Sequence, residues 1–333
     1  MAERMLVNQI HNKLLPGFIL GLGVFVALGL YADFTAIYRL LWTFDWTLVP
    51  AILVLTAANY GLRFVKWHYY LHQIGIEGVP VWDNLRIFLG GFGLSLTPGK
   101  SGELVKSVWL RNRTGVHPAK TAPMILAERL SDGIAMVLLA LLGGALYPPY
   151  RPAVAVVGSL LVAVVIAIQT RRLANLVLRI GERTPLVSRF THHLQLLYES
   201  AQELLNGRNL AVAVGLGCVA WGIEGIAFYL ILVGLGLSPS PSLVLLAISV
   251  LSLALIAGGV SGMPGGLGVT EGGLTGLLLF TAAAPEGVAA TATLLVRFCV
   301  LWLGVITGVI VILIWRRFLF SSHPAEVPTL AVE

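Results

Sequence analysis

Charge is what this chain has least of. Only 11% of its 333 residues are Asp, Glu, Lys or Arg, against about 25% in a soluble domain. That shortage excludes an ordinary soluble fold and indicates an integral membrane protein. Cysteine is almost absent too. Cys218 and Cys299 both fall in apolar helical stretches. They offer neither a disulfide framework nor a zinc spacing, and serve as small packing residues. Alternation of apolar and polar residues over about ten positions, the mark of a barrel strand, is missing, so the class is all-α. A nucleophile elbow, a Walker loop and a dinucleotide fingerprint are also missing. The glycine-rich run Gly258 to Gly273 has no preceding strand and no Gly-Lys-Ser/Thr ending. No cofactor and no metal are expected. His68 and His72 share a helical face, but no third ligand is evident.

What is present is long apolar sequence, 57% of the chain by residue. A span needs about 20 such residues. Continuous spans are expected near 14–32, 48–71, 121–145, 152–170, 210–236 and 288–314. The run from about Leu14 to Tyr31 is too long for a signal-peptide core and lacks a convincing cleavage site, so it is a retained first span. Two further apolar stretches, about 80–112 and 240–283, are interrupted. Pro98, Gly99 and Gly102 break the first; Pro264, Gly265, Gly266 and Gly268 break the second. Proline removes a backbone donor and glycine loosens a helix. Such breaks cannot face lipid, so each is expected to be buried or to line a wet cavity as a re-entrant hairpin.

The two breaks resemble each other. Each is a Pro-Gly step followed by a glutamate, Glu103 or Glu271. Each glutamate precedes by 26 residues an arginine in an apolar helix, Arg129 or Arg297. Six spans plus two hairpins place both termini in the cytoplasm. Cytoplasmic connections then hold Arg4, Lys13, Arg111, Arg113, Lys120, Arg208, Arg316, Arg317 and the arginines of 171–189, while the outside holds only Arg39 and Arg151. That satisfies the positive-inside rule, and the net charge of +6 implies topology rather than nucleic acid. The hairpins would open to opposite sides, an inverted repeat of the transporter kind. The expected organisation is an N-terminal membrane half (1–170), a basic linker (171–209), a C-terminal membrane half (210–318) and a cytoplasmic tail (319–333). The linker is either an amphipathic helix on the inner surface or a plain connection.

Candidate binding residues are the ions in the apolar helices. Glu128, Arg129 and Asp132 lie within one helical turn. Each would cost about 2.5–3.5 kcal/mol at a helix centre, so they need interior partners; Glu103 and Asp132 are the candidates for Arg129. Lys100 and Lys106 flank Glu103, and with Arg129 would hold a phosphate. In the second copy Arg297 is the nearby cation, with Glu271 and the amides of Gly266, Leu267 and Gly268 as companions. Arg63 is a cavity candidate. Lys66, with Trp67, Tyr69 and Tyr70, is expected to be an interfacial anchor. Glu224, alone in its span, is either protonated or a proton relay.

These residues carry a resemblance. Pro98 to Glu103, then Glu128, Arg129 and Asp132, then Pro264 to Glu271, with Arg297 in the next helix, resemble the membrane region of lysylphosphatidylglycerol synthases and their stand-alone flippase-like relatives. The likeness extends over nearly all of residues 10–318. Lys100 departs from it, since arginine is expected there and a bidentate grip on phosphate is lost. The resemblance implies movement of an anionic lipid, or a polyprenyl-phosphate-linked headgroup, between leaflets of the plasma (inner) membrane. A soluble synthase or glycosyltransferase domain is not expected within 333 residues, so the chain is not expected to be an enzyme. Three rivals stand beside this: a small-solute or ion transporter, an intramembrane lipid-phosphate enzyme, and a docking subunit for a separate lipid-modifying enzyme.

Overall fold

The computed structural model describes residues 2–97, 102–144, 151–170 and 191–321. Among these the regular structure is helical, with no strand. Pro98, Gly99 and Lys100, most of the linker, and the tail beyond 321 lie outside the described residues. Long apolar runs become helices because a helix pairs its own backbone groups where no water can. Helix α1 (Ala2–Ala32) leads to the short α2 (Phe34–Thr43) and then α3 (Val49–Gln73). Helices α4 (Val81–Phe92) and α5 (Val105–Thr114) flank the first break. Next come α6 (Pro118–Gly144), α7 (Arg151–Gln169), α8 (Thr191–Leu204) and α9 (Gly207–Gly234). Helices α10 (Pro241–Val260) and α11 (Val269–Thr281) flank the second break. Helices α12 (Glu286–Arg297) and α13 (Leu303–Ile314), joined by a π turn at Phe298–Trp302, precede the short α14 (Arg316–Phe320).

Among the described residues five stretches are long and apolar enough to cross a membrane: Leu15–Ala32, Trp46–Gln73, Gly207–Gly234, Pro241–Val260 and Glu286–Ile314. Helix α6 has 27 residues, about 40 Å at 1.5 Å each, but carries the ions. It is the hub, packed on α3, α5, α7, α8, α9 and α10. Large apolar side chains such as Leu22, Leu30, Val156, Leu160 and Leu313 are exposed on outer helix faces, as lipid contact requires.

The two breaks differ in their arms. Helices α4 and α5, of 12 and 10 residues, are too short to span. In the second, α11 has 13 residues but α10 has 20, about 30 Å and the full hydrocarbon thickness. Three of the four arms are therefore shorter than a span, and α10 is not. The breaks meet despite their distance in sequence. A β-carbon on Gly265 would lie 3.1 Å from Leu96 Cδ2 and 3.2 Å from Leu301 Cδ2. Gly265, Gly266 and Gly268 have φ of 60°, 68° and 84°, a region that side chains rarely enter. These angles explain why the second turn is made of glycine.

Helix α13 seats on α4 through Gly304 and Gly308, a small-xxx-small face that lets backbones approach. A β-carbon on Gly308 would fall 2.0 Å from the Gly93 nitrogen. Gly308→Ala is expected to cost about 1–3 kcal/mol, as overpacking does. Thermal unfolding in detergent should show a lower midpoint for Gly308→Ala. Gly61→Ala, inside α3, meets nothing within 4 Å and should not fall below wild type, since alanine favours a helix interior over glycine.

Candidate functional site

The first break is spanned by a threonine. Thr97 Oγ1 donates to the Leu94 carbonyl at 2.8 Å and accepts from the Gly102 N–H at 2.7 Å. Ser95 Oγ donates to Glu103 Oε1 at 3.3 Å. Glu103, 2% exposed, pairs with Arg129 and stands 3.5 Å from Lys106 Nζ. Lys106 continues to Glu128 Oε2 at 3.3 Å, and Glu128 Oε1 accepts from Arg63 Nη2 at 3.2 Å. A chain of alternating charge therefore runs Arg129, Glu103, Lys106, Glu128, Arg63, drawn from four helices or breaks. Asp132 accepts from Lys66. Four cations and three carboxylates make up this cluster among the described residues, a surplus of one positive charge. Aromatic faces support it: Lys106 lies 4.4 Å from the Trp67 ring centre, and Arg63 5.0 Å from Phe92.

The second break is a clamp. Arg297 Nε donates to Glu271 Oε1 at 2.6 Å, and its Nη2 to the Gly265 carbonyl at 2.8 Å. Glu271 Oε2 accepts from the Gly268 N–H at 2.7 Å, filling one open donor at the start of α11. Acidic charge at a helix N-terminus is favourable. The Gly266 and Leu267 N–H groups donate to the Met263 and Pro264 carbonyls at 2.9 and 3.0 Å. These two amides are thus consumed by the turn, and of the three expected around Arg297 only that of Gly268 bonds its partner Glu271. Directly after Arg297, the π turn frees the Cys299 carbonyl, which accepts from Tyr60 Oη at 2.8 Å.

Both glutamate–arginine pairs, each 26 residues apart, therefore form as ion pairs, and their arginines line one cavity of about 340 Å³. Arg63, Glu103, Asp132 and Thr270 share it. Lys106 and Glu128 sit behind its wall. Ser95 and Tyr60 also line it, and much of the rest is apolar, with Val157 and Leu161 of α7 and Leu255, Ile256 and Val260 of α10. The arginines differ in openness: the Arg129 side chain is 28% exposed, that of Arg297 only 4%.

Lys66 is not an interfacial anchor. It is 1% exposed, and Trp67 and Tyr70 beside it are fully buried. The signal lay in the sequence: Thr56, Asn59, Arg63, Lys66 and Tyr70 repeat at helical spacing down one face of α3. That polar stripe packs on α6 and α9, where Asn59 Nδ2 donates to the Ala220 carbonyl at 2.8 Å. Ser95 and Thr97 carried no pattern of their own. His68 and His72 place their Nε2 atoms 3.2 Å apart, and Asn84 stands 2.9 Å from His68 Nδ1. Among the described residues no three metal-ligating side chains cluster.

The lysylphosphatidylglycerol synthase TM region matches residues 18–308. The chain belongs to that family. It is similar to a UPF0104 membrane protein of Pyrococcus horikoshii, 24% identical over 91% of this chain and 98% of that one. A UPF0104 membrane protein of Methanothermobacter thermautotrophicus is also 24% identical, over 88% and 91% respectively. No solved structure matches the chain.

Proposed function

We propose that the chain moves an anionic lipid headgroup, or a polyprenyl-phosphate-linked one, between membrane leaflets. One observation carries this reading: a single cavity joins three arginines to an apolar flank. Phosphate would engage Arg129, the open guanidinium, with Arg63 and Arg297 as further partners and Lys100 as a fourth cation. The tail would lie along α7 and α10 and stay in lipid. Glu103 and Glu271 would hold the arginines between turnovers and compete with the headgroup for them, which aids release. The α4–α5 pair would open to the cytoplasm and the α10–α11 pair to the outside, as the two halves of an inverted repeat, with both chain ends in the cytoplasm of a plasma membrane. Such a protein moves its substrate without altering it, and is not an enzyme. The segment 171–209 would suit a separate lipid-modifying partner.

The test is purified protein in liposomes containing fluorescent phosphatidylglycerol or fluorescent phosphatidylcholine in the inner leaflet. Wild type should deliver the anionic lipid to the outer leaflet faster than protein-free liposomes do, and faster than it delivers the zwitterionic lipid. Transfer no faster than the protein-free rate sinks the proposal. Uptake of soluble phosphate without lipid transfer would make it a solute transporter. A new lipid species in the extract would make it an enzyme.

A further inference from the structure

Glu224 lies on α9 one turn beyond Trp221, a cavity-lining residue. It is 1% exposed. Its Oε1 accepts from Thr56 Oγ1 at 3.1 Å, while Oε2 is buried without a hydrogen-bond partner among the described residues. The other buried carboxylates of the membrane core, Glu103, Glu128, Asp132 and Glu271, each have a lysine or arginine within 4.0 Å. Among the described residues Glu224 has none. A buried carboxylate with no counter-ion gives up its charge, because protonation costs less than desolvating the anion. The ionisable groups facing it are Tyr60 and Arg63 from α3 and Cys299 from the π turn. From α6, Glu128 holds Arg63 from the other side. From α12, Arg297 is held by Glu271. Helix α10 has no ionisable residue.

We infer that Glu224 is a proton-binding site that couples the movement of a proton to that of the anion, with Arg63 as the group that senses its charge. This rests on the transport reading above. With the proton bound, Glu224 is neutral, Arg63 stays on Glu128, and the cavity keeps its positive surplus for phosphate. When the proton leaves, a carboxylate appears behind the cavity wall. It draws Arg63 toward itself and repels the bound anion. Proton loss therefore lowers anion affinity, and by reciprocity a bound anion raises proton affinity. The two ions travel together. One proton and a singly charged phosphodiester move no net charge, so the pH gradient rather than the membrane potential drives the step.

Two measurements test this. In liposomes with fluorescent phosphatidylglycerol, wild type should move lipid from the acidic side about fivefold faster or more than without a gradient, the lower end of ordinary coupling. Glu224→Asp should keep that response. Glu224→Gln, permanently neutral, should transfer lipid at one rate with or without the gradient. Equal responses in wild type and Glu224→Gln overturn the inference. Independently of transport, the infrared spectrum of wild type at neutral pH should contain the carbonyl stretch of a protonated carboxylic acid that Glu224→Gln lacks. Identical spectra also overturn it. If the band is present and titrates but wild type moves no lipid, the lipid reading falls and the proton site stands.

Discussion

Arg129→Ala is expected to slow anionic-lipid transfer about thirtyfold or more. Removing one partner of a buried charged contact costs about 2–5 kcal/mol, and 1.4 kcal/mol is a factor of ten. The fold should survive, because Glu103 keeps Lys106 at 3.5 Å and Ser95 at 3.3 Å. The loss would fall on the cavity, since Arg129 is more open than Arg297. Arg129→Lys should be intermediate: it keeps the charge and loses the planar fork. Transfer in liposomes measures both variants, with elution profiles in detergent to show that they fold. If Arg129→Ala transfers lipid at the wild-type rate, phosphate does not pass over this guanidinium.

Lys66→Met should be the most damaging single change to stability. Lys66 is the salt-bridge partner of Asp132, whose second oxygen is buried and has no hydrogen-bond partner among the described residues. Deleting the lysine leaves an unpaired carboxylate in the protein core. Breaking a buried pair costs about 3–5 kcal/mol, comparable to the lower end of a domain's whole stability, about 5–15 kcal/mol. Purified Lys66→Met should elute largely as aggregate. Lys66→Met combined with Asp132→Leu should elute as a single peak, because no charge is then left buried. A double variant as unstable as the single one would show that Lys66 matters for packing rather than for charge.

Much of the site was legible as spacing. Two Pro-Gly breaks, each with a glutamate 26 residues ahead of an arginine, pointed to Glu271 beside Arg297 and to Glu103 or Asp132 for Arg129 because ions in apolar helices need partners; packing selected Glu103. The partner of Lys66 was not legible. Its position near a helix end, with aromatics beside it, suits an anchor as well as a core cation; only the packing of α3 on α6 separates the two. The bonding of the turn amides of Gly266 and Leu267 was not legible for a related reason. Sequence shows that they exist, but not that the Met263 and Pro264 carbonyls already take them.

The chain's own residues determined its solvent, its helical class, its two breaks and the demand that every buried ion find a counterpart, because those follow from hydropathy and from backbone hydrogen bonding along one segment. Tertiary structure alone decided that Leu96 meets Gly265, that Arg129 and Arg297 share one cavity, that α10 is long enough to span, and that among the described residues Glu224 is the buried acid left without a cation within 4.0 Å. These are contacts between segments far apart in sequence. Local pattern sets what each segment must satisfy, and only packing selects the partner that satisfies it.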